Sequence, residues 1–355
     1  MKRLWRLLPA ILLGIAAIPA VAADPVADFY HGKTITLVIS VGEGDGMDRT
    51  ARILARHWPD TIPGNPTIIA KNMPGAGSLR ATEYLYTQAP KDGTVLGALI
   101  PVFVLQQAMG GGTAGSINYD AAKFGWIGSS NTSNQMVYVW HTAGVETLQQ
   151  AMEQELLMGA TGAGSNSVLY PTILNNVLGT RFKIIMGYRA APEIGLAMER
   201  GEVQGRAGES FNTLMAVNPD WVRDKKIDIL VQIGVTPEPG FESVPLITDF
   251  AKDAARRSVL QLFSQDIGLG RPYLAPPGIP AERLAALRTS FDAAMKDPAL
   301  LAEAKQSHLD ISPTEGEALQ KLVTGMLATQ PEVLSRAKTA MDAKNSIAGE
   351  KPAKP

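Results

Sequence analysis

The 355-residue sequence contains no cysteine. This absence excludes disulfide bonds, thiolate metal sites, a cysteine nucleophile and a lipid-modified cysteine. A chain of this length can bury a core large enough to fold without cross-links, and the length is typical of two domains. Stability therefore has to come from the hydrophobic core.

Histidine and clustered positive charge are also scarce. The four histidines are His31, His57, His141 and His308, and no two of them have the i, i+4 spacing of helical metal ligands. The formal net charge is −1, and the charged residues are spread evenly. This pattern is typical of a solvated surface and argues against nucleic-acid binding. We predict no nucleic-acid partner, no metal and no cofactor.

The sequence has one long apolar stretch, which is interrupted by Pro9 and Pro19. It runs from Leu7 to Val21, follows the basic residues Lys2, Arg3 and Arg6, and ends in Val21-Ala22-Ala23. At about 15 residues it falls short of the roughly 20 needed to span a bilayer. The composition and the small residues before Asp24 are typical of an export signal. We predict that residues 1–23 are a signal peptide, cleaved after Ala23, and that the protein is periplasmic.

The remaining chain alternates predicted strands and helices, which favours α/β layers with largely parallel strands. In the stretch Thr34 to Trp58, a β-branched strand is followed by three glycines and then by a helix that Asp45 or Asp48 can cap. Backbone amides at a helix N-terminus favour a bound anion. The middle of the chain repeats this design with a strand at 156–160, a loop at 161–167 and a helix at 168–178.

Two such loops, facing each other across a cleft, would clamp one small anion. A nucleotide-binding interpretation is disfavoured, because the glycines follow G-x-G-x-G and the second strand ends at Lys71-Asn72 rather than at an acid. The candidate ligand-binding residues in the two loops are Gly42, Glu43, Gly44, Asp45, Gly46, Asp48, Thr161, Gly162, Ala163, Gly164, Ser165, Asn166 and Ser167.

Arg206 is a candidate for binding a carboxylate from outside these loops. It lies near the end of a predicted strand, Glu202 to Ala207, where ligands of α/β sheets commonly bind, and its guanidinium suits a carboxylate. The alternative is an ion pair between Arg206 and Glu209, and the sequence leaves both open.

Several longer stretches resemble one family, the extracytoplasmic solute receptors of tripartite tricarboxylate transporters, known as Bug-type receptors. The matches run in order along most of the mature chain. They are DRTARILARH (48–57), PGNP (63–66), NMPGAGSLRATEYLYTQAPKDG (72–93), GATGAGSNS (159–167), GYRAAPEIGLAMERGEVQGRAGES (187–210) and RPYLAPPGIPAERLAALRTSFDAAMKDP (271–298).

The resemblance implies an α/β, two-lobed periplasmic-binding-protein fold of type II, with a mostly parallel central sheet in each lobe and a hinge between them. Lobe 1 would comprise residues 24–130 and 240–347, lobe 2 residues 131–239, and residues 348–355 a disordered tail. The binding flaps would be residues 41–48 and 160–167. Ser129, Ser130 and Asn131 at the crossover would line the cleft or form the hinge.

The implied function is a monomeric receptor without enzymatic activity, which captures a small organic acid and delivers it to membrane permease subunits. Two acids depart from the family pattern, because Glu43 and Asp45 would repel a carboxylate by on the order of 1 kcal/mol each. Either they face the solvent or the ligand is not a simple dicarboxylate. The alternative functions are an exported hydrolase that uses Ser165, although G-A-G-S-N is not the G-x-S-x-G motif, and a sensor for a signalling partner.

Overall fold

The computed structural model describes residues 24–110, 118–162, 165–189, 191–344 and 346–350. The predicted signal peptide lies outside these ranges, as do Ala163 and Gly164 of the second loop. Among the helices in the described ranges, none is long and apolar enough to cross a membrane.

Helices and strands alternate along the chain, as predicted. The helices are α1 (Pro25–Tyr30), α2 (Gly46–His57), α3 (Leu79–Thr87), α4 (Val102–Ala108), α5 (Leu148–Glu153), α6 (Asn166–Leu178), α7 (Ala191–Glu199), α8 (Phe211–Val217), α9 (Pro219–Arg223), α10 (Ala254–Gly268), α11 (Ala281–Ala294), α12 (Pro298–Gln306), α13 (Gly316–Leu327) and α14 (Pro331–Ala340). The strands are β1 (Thr34–Ile39), β2 (Thr67–Asn72), β3 (Val95–Ala98), β4 (Gly125–Ser129), β5 (Gln135–Trp140), β6 (Leu156–Gly159), β7 (Phe182–Met186), β8 (Gly205–Ser210), β9 (Ile227–Ile233), β10 (Pro272–Ala275), β11 (Thr314–Glu315) and β12 (Ile347–Glu350).

The first sheet has the strand order β11-β4-β10-β3-β1-β2. β1 pairs in parallel with β2 and β3, whereas β10 is antiparallel to both β3 and β4. β1, β2, β3 and β4 therefore run in one direction, and their carboxyl ends lie at the same edge of the sheet. The first glycine loop follows β1 and is placed at this edge.

The second sheet has the order β12-β7-β6-β8-β5-β9. β6 is parallel to β7 and β8, and β5 is antiparallel to β8 and β9. The carboxyl ends of β6, β7 and β8 share one edge, where the second loop follows β6. The two-lobed α/β fold is confirmed, and each sheet is mixed because a minority of reversed strands, β10 and β11 in one and β5 in the other, joins the parallel set.

A polar hinge forms where the chain passes between the sheets. The chain leaves the first sheet after β4 and returns to it at β10, and the predicted boundaries at 130/131 and 239/240 fall within these two connections. Asn134 joins them, because its side-chain amide donates to Gln232 Oε1 (2.9 Å) and to the Thr236 carbonyl (2.7 Å), while its backbone N–H donates to Glu238. Gln232 is fully buried.

The end of the chain differs from the prediction. Residues 240–347 were expected in lobe 1 and residues 348–355 as a disordered tail, but α14 packs against α6, and β12 pairs with β7 of the second sheet. Without β12, β7 would be an exposed edge strand with unpaired backbone groups. Residues 331–350 therefore join lobe 2, and residues 351–355 lie outside the described ranges.

One large apolar core lies under helices α4, α6, α10 and α13 and includes residues from both sheets. A second core fills the opposite face of the first sheet, where the Trp58 ring meets Tyr273 (6.1 Å between centroids) and Phe291 (5.5 Å). A third lies on the opposite face of the second sheet, around Tyr138 and Trp221. Each sheet is thus covered on both faces, and the sheet edges that carry the loops are left for a site.

Asp266 is an acid on α10, a helix that covers the first apolar core. We predict that this residue makes the stability of the protein depend on pH. Burial raises the pKa of its carboxyl group from 3.8 to about 7, and its Oδ1 atom has no hydrogen-bond partner among the described residues. The folded state therefore binds a proton more tightly than the unfolded chain. Between these two pKa values the free energy of unfolding should fall as pH rises, by up to about 1.4 kcal/mol per pH unit, and then level off.

Asp266→Asn should remove this slope and raise the stability at pH 8, as measured by urea unfolding at a series of pH values. The exposed Asp28→Asn is the matched control and should keep the wild-type slope. An unchanged slope in Asp266→Asn would contradict the assignment.

Candidate functional site

The first glycine loop is ordered by two aspartates with different roles. Asp45 is the N-cap of α2, and its carboxylate accepts a hydrogen bond from the Met47 N–H (2.8 Å). The sequence allowed either Asp45 or Asp48 in this role, and the structure assigns it to Asp45. The cap leaves the N-terminus of α2 at the carboxyl edge of the first sheet.

Asp48 holds the loop from the inside. It is 2% exposed, and its carboxylate accepts hydrogen bonds from the Gly44 N–H (2.8 Å), the Asn72 amide (2.8 Å) and Arg52 Nε (2.9 Å). Burial alone would raise the pKa of Asp48, but these donors outweigh it and hold the pKa below its usual value. The carboxylate is thus occupied by the protein itself and fixes the shape of the loop.

Gly42, Glu43, Gly44 and Asp45 are exposed, and Gly46 is half-buried. The side chains of Glu43 and Asp45 face the solvent, which is the first of the two explanations considered for these acids. In water their repulsion of a bound anion is weakened by the high dielectric constant and by salt.

The second loop is built from hydroxyl groups. Ser165 Oγ donates to the Gly162 carbonyl (2.7 Å) and lies 2.7 Å from Ser167 Oγ, which in turn accepts from the Thr161 N–H (3.1 Å). Ser165 is the N-cap residue of α6, and Asn166 is the exposed first residue of that helix. Like the first loop, this one ends in a helix N-terminus at the carboxyl edge of its sheet.

Ser129, Ser130 and Asn131 are buried hinge residues. Ser129 Oγ accepts from the Arg271 N–H (2.9 Å), the Ser130 N–H donates to the Arg271 carbonyl (3.1 Å), and the Asn131 amide donates to the Asp310 carbonyl (3.1 Å). These bonds tie the three residues to the hinge, and Asn131 also lines the cavity described below.

Arg206 and Glu209 form the ion pair that was the alternative to ligand binding. Arg206 Nη1 lies 2.7 Å from Glu209 Oε1, and the two side chains are 12% and 3% exposed. The Tyr138 hydroxyl donates a hydrogen bond to the same carboxylate. Burial, with the charge of Glu209 beside it, raises the pKa of Tyr138 well above its usual value. The network stabilises the second sheet.

A β-bulge explains why the sequence left this pair undecided. Residues i and i+3 of a regular strand point to opposite faces, so Arg206 and Glu209 would not meet. The register with β5 shifts at Gly208, which is the extra, unpaired residue of the bulge and has a φ of +76°. The bulge turns the side chain of Glu209 to the side of Arg206. The strand itself lies three residues later than predicted: it was expected from Glu202 to Ala207, and β8 runs from Gly205 to Ser210.

Arg271 is a site residue that the sequence did not single out. Its backbone belongs to the hinge, and its guanidinium donates to Thr50 Oγ1 (3.0 Å) and lies against Gly46 at the start of α2. Burial lowers its pKa, and no carboxylate of the described residues lies within ion-pairing distance. The sequence analysis included Arg271 only as the first residue of the stretch 271–298 and gave no sign of its role, because the contact joins segments some 220 positions apart.

Arg271 faces a cavity of about 850 Å³ between the two lobes. One wall is α8 of lobe 2, and the other consists of the first turn of α2, α12 and the segment that follows it. The lining residues are Arg49, Asn131, Ser210, Asn212, Thr213, Met215, Ala216, Val217, Arg271, Leu301, Ala304, Lys305, His308, Leu309, Asp310 and Ile311.

One hydrogen bond crosses this cavity. The Asn212 amide of α8 donates to Asp310 Oδ2 (2.6 Å), and the Asn131 amide of the hinge lies 3.4 Å from the same oxygen. The bond links the lobes beside the hinge. Because the two walls of the cavity belong to different lobes, its width depends on the angle between them.

Comparison with known proteins finds similarity in both sequence and fold. No protein-family model matches the chain. A Cupriavidus necator protein described as "UPF0065 protein in gbd 5'region" is 26% identical over 296 residues, which cover 81% of each chain. The fold is similar to that of a TctC solute-binding protein from Polaromonas, with a TM-score of 0.67, 18% identity and coverage of 87% of this chain and 99% of that one.

It is also similar to MatC from Rhodopseudomonas palustris with bound malate, with a TM-score of 0.54, 17% identity and coverage of 85% and 99%. The resemblance noted from the sequence is thus confirmed in the fold, which is that of the TctC-type solute-binding proteins. These neighbours are binding proteins rather than enzymes. No cluster of metal-ligating side chains occurs within the described part of the chain.

The role of Asp48 can be tested by Asp48→Ala. The substitution leaves the Gly44 N–H without its acceptor and removes one acceptor each from the Asn72 amide and Arg52, so we expect a loss of about 2–4 kcal/mol in the free energy of unfolding. Chemical denaturation measures this loss. The exposed Asp60→Ala, in the short 3₁₀ turn Trp58–Thr61 after α2, serves as control and should change stability by less than about 0.5 kcal/mol. Equal effects of the two variants would show that Asp48 does not hold the loop.

Proposed function

We propose that this protein is an extracytoplasmic solute receptor that captures a small organic acid between its lobes and delivers it to the membrane permease of a tripartite tricarboxylate-type transporter. The observation that carries the proposal is the paired arrangement of the site. Each sheet presents a glycine-rich loop and a helix N-terminus at its carboxyl edge, and a polar hinge joins the two sheets. Helix N-termini favour anions.

The proposed ligand contacts are the backbone and hydroxyl groups of residues 42–46 and 161–167. Through the hydrogen bonds described above, Asp48 supports the first loop, Ser129, Ser130 and Asn131 support the hinge, and Arg206 and Glu209 support the second sheet. The malate bound to MatC is consistent with a carboxylate ligand in a protein of this fold. The N-terminal leader supports a periplasmic receptor that is cleaved after Ala23, and we propose that this receptor is a monomer.

An exported hydrolase is the second candidate, and its nucleophile would be Ser165. The hydroxyl group of Ser165 bonds to a carbonyl oxygen and to another serine, neither of which is a general base. A receptor that signals through a membrane protein would use the same cleft. It differs from a transport receptor in the membrane partner alone, which purification with its membrane complex would identify.

The receptor function predicts that an organic acid stabilises the protein. At a hundredfold excess over Kd, the ligand should raise the free energy of unfolding by about 2.7 kcal/mol. Thermal-shift screening over mono-, di- and tricarboxylates, followed by calorimetric titration of the hits, measures the effect. Small-angle scattering should show a smaller radius of gyration with ligand, because the lobes close.

Ser167→Ala removes the acceptor of the Thr161 N–H and should weaken binding at least fivefold, whereas the exposed Ser335→Ala should leave it unchanged. A full panel of organic acids without any stabilising member would refute the proposal, and turnover of a test ester would favour the hydrolase.

A further inference from the structure

We infer that the cavity between α8 and α12 selects an organic anion with one carboxylate and an apolar body, rather than a compact dicarboxylate. The inference rests on the proposed function and specifies its ligand. The cavity adjoins the first proposed binding loop through Arg271, whose guanidinium lies against Gly46, whereas residues 161–167 of the second loop are not among its lining residues. The inference is carried by the composition of the cavity walls, which combine a cationic end near the hinge with an apolar stretch along two helices.

The cationic end centres on Arg271. Its guanidinium is largely removed from solvent and has no carboxylate partner among the residues described, although a buried arginine is seldom left unpaired. Arg49 lies beside it on α2, and Lys305 and His308 line the cavity farther along. A ligand carboxylate at Arg271 would provide the missing negative charge and could accept two parallel hydrogen bonds.

One acid also faces this cavity, Asp310. Its carboxylate oxygen Oδ2 accepts from the Asn212 amide and lies near the Asn131 amide. Asp45 contributes a second negative charge near Arg271 but faces the solvent. A ligand carboxylate would compensate the charge of Arg271, and these two acids disfavour a second anionic group close to the first.

The apolar part of the walls comes from opposite lobes. Leu301 on α12 is 40% exposed and Val217 on α8 is 58% exposed, and both line the cavity with Met215, Leu309 and Ile311. Large apolar side chains exposed in one place mark a binding surface. Burying an alkyl or aromatic body here gains about 25 cal/mol per Å² of apolar surface, a gain that malate cannot provide. Because the walls belong to different lobes, such a ligand would also draw the lobes together.

Calorimetric titration of the full mature chain with octanoate, phenylacetate and malate tests the inference. We expect octanoate or phenylacetate to bind at least tenfold more tightly than malate. Arg271→Gln should weaken the binding of all carboxylates at least tenfold, whereas the exposed Arg336→Gln on α14 should not change it. The double variant Leu301→Gln/Val217→Gln should lose the preference for the apolar acids and retain the affinity for malate.

The outcomes separate the two proposals. If malate or another compact acid binds more tightly than the apolar acids, or if Arg271→Gln leaves binding unchanged in a folded protein, the inference is refuted and the receptor function stands. If no carboxylate of any kind binds, the receptor function is itself refuted. Circular dichroism and unfolding of each variant show that a lost affinity does not reflect a lost fold.

Discussion

The site depends on the position of Arg271, which belongs to the hinge and to the first binding loop at once. Its backbone exchanges hydrogen bonds with Ser129, Ser130 and Asn131, and its side chain reaches the first turn of α2. Removing a guanidinium from water carries a free-energy cost, and the protein offsets little of it with its own groups. The cost is consistent with a site that is completed by an anion from outside, so that binding is coupled to the geometry of the hinge.

Local patterns were sufficient to predict the strand, loop and helix units. A stretch of 25 residues contains the alternating side chains of β1, the glycines that follow and the cap of α2. The unit of β6, its loop and α6 is equally local. The two-lobed fold followed from the resemblance. The cavity did not, because it is formed by α8 and α12, which are separated by some 80 positions and meet only in the folded chain.

The choice between the two predicted roles of Arg206 and the site role of Arg271 could not be predicted, for a shared physical reason. Arg206 meets Glu209 because of a bulge at Gly208, and Arg271 depends on the register of β10 beside β3 and β4. Neither a bulge nor an antiparallel insertion changes the local hydrophobic pattern. The candidates in the loops were predicted as a group, but their individual roles, such as the cap at Asp45 and the buried anchor at Asp48, required the contacts of Asn72 and Arg52.

The pairing of β12 with β7 has a consequence for the order of assembly. The partners Ile347 and Ile184 are separated by more than 160 positions, and the Asn175 amide also bonds to Ser346 Oγ (3.0 Å). Lobe 2 is therefore complete only when the last residues of the chain are available, after most of lobe 1 has been synthesised. Contacts so distant in sequence close large loops and form slowly. Segments of the two lobes alternate along the chain. The docking of β12 on β7 is therefore a late step that completes the folding of both lobes together.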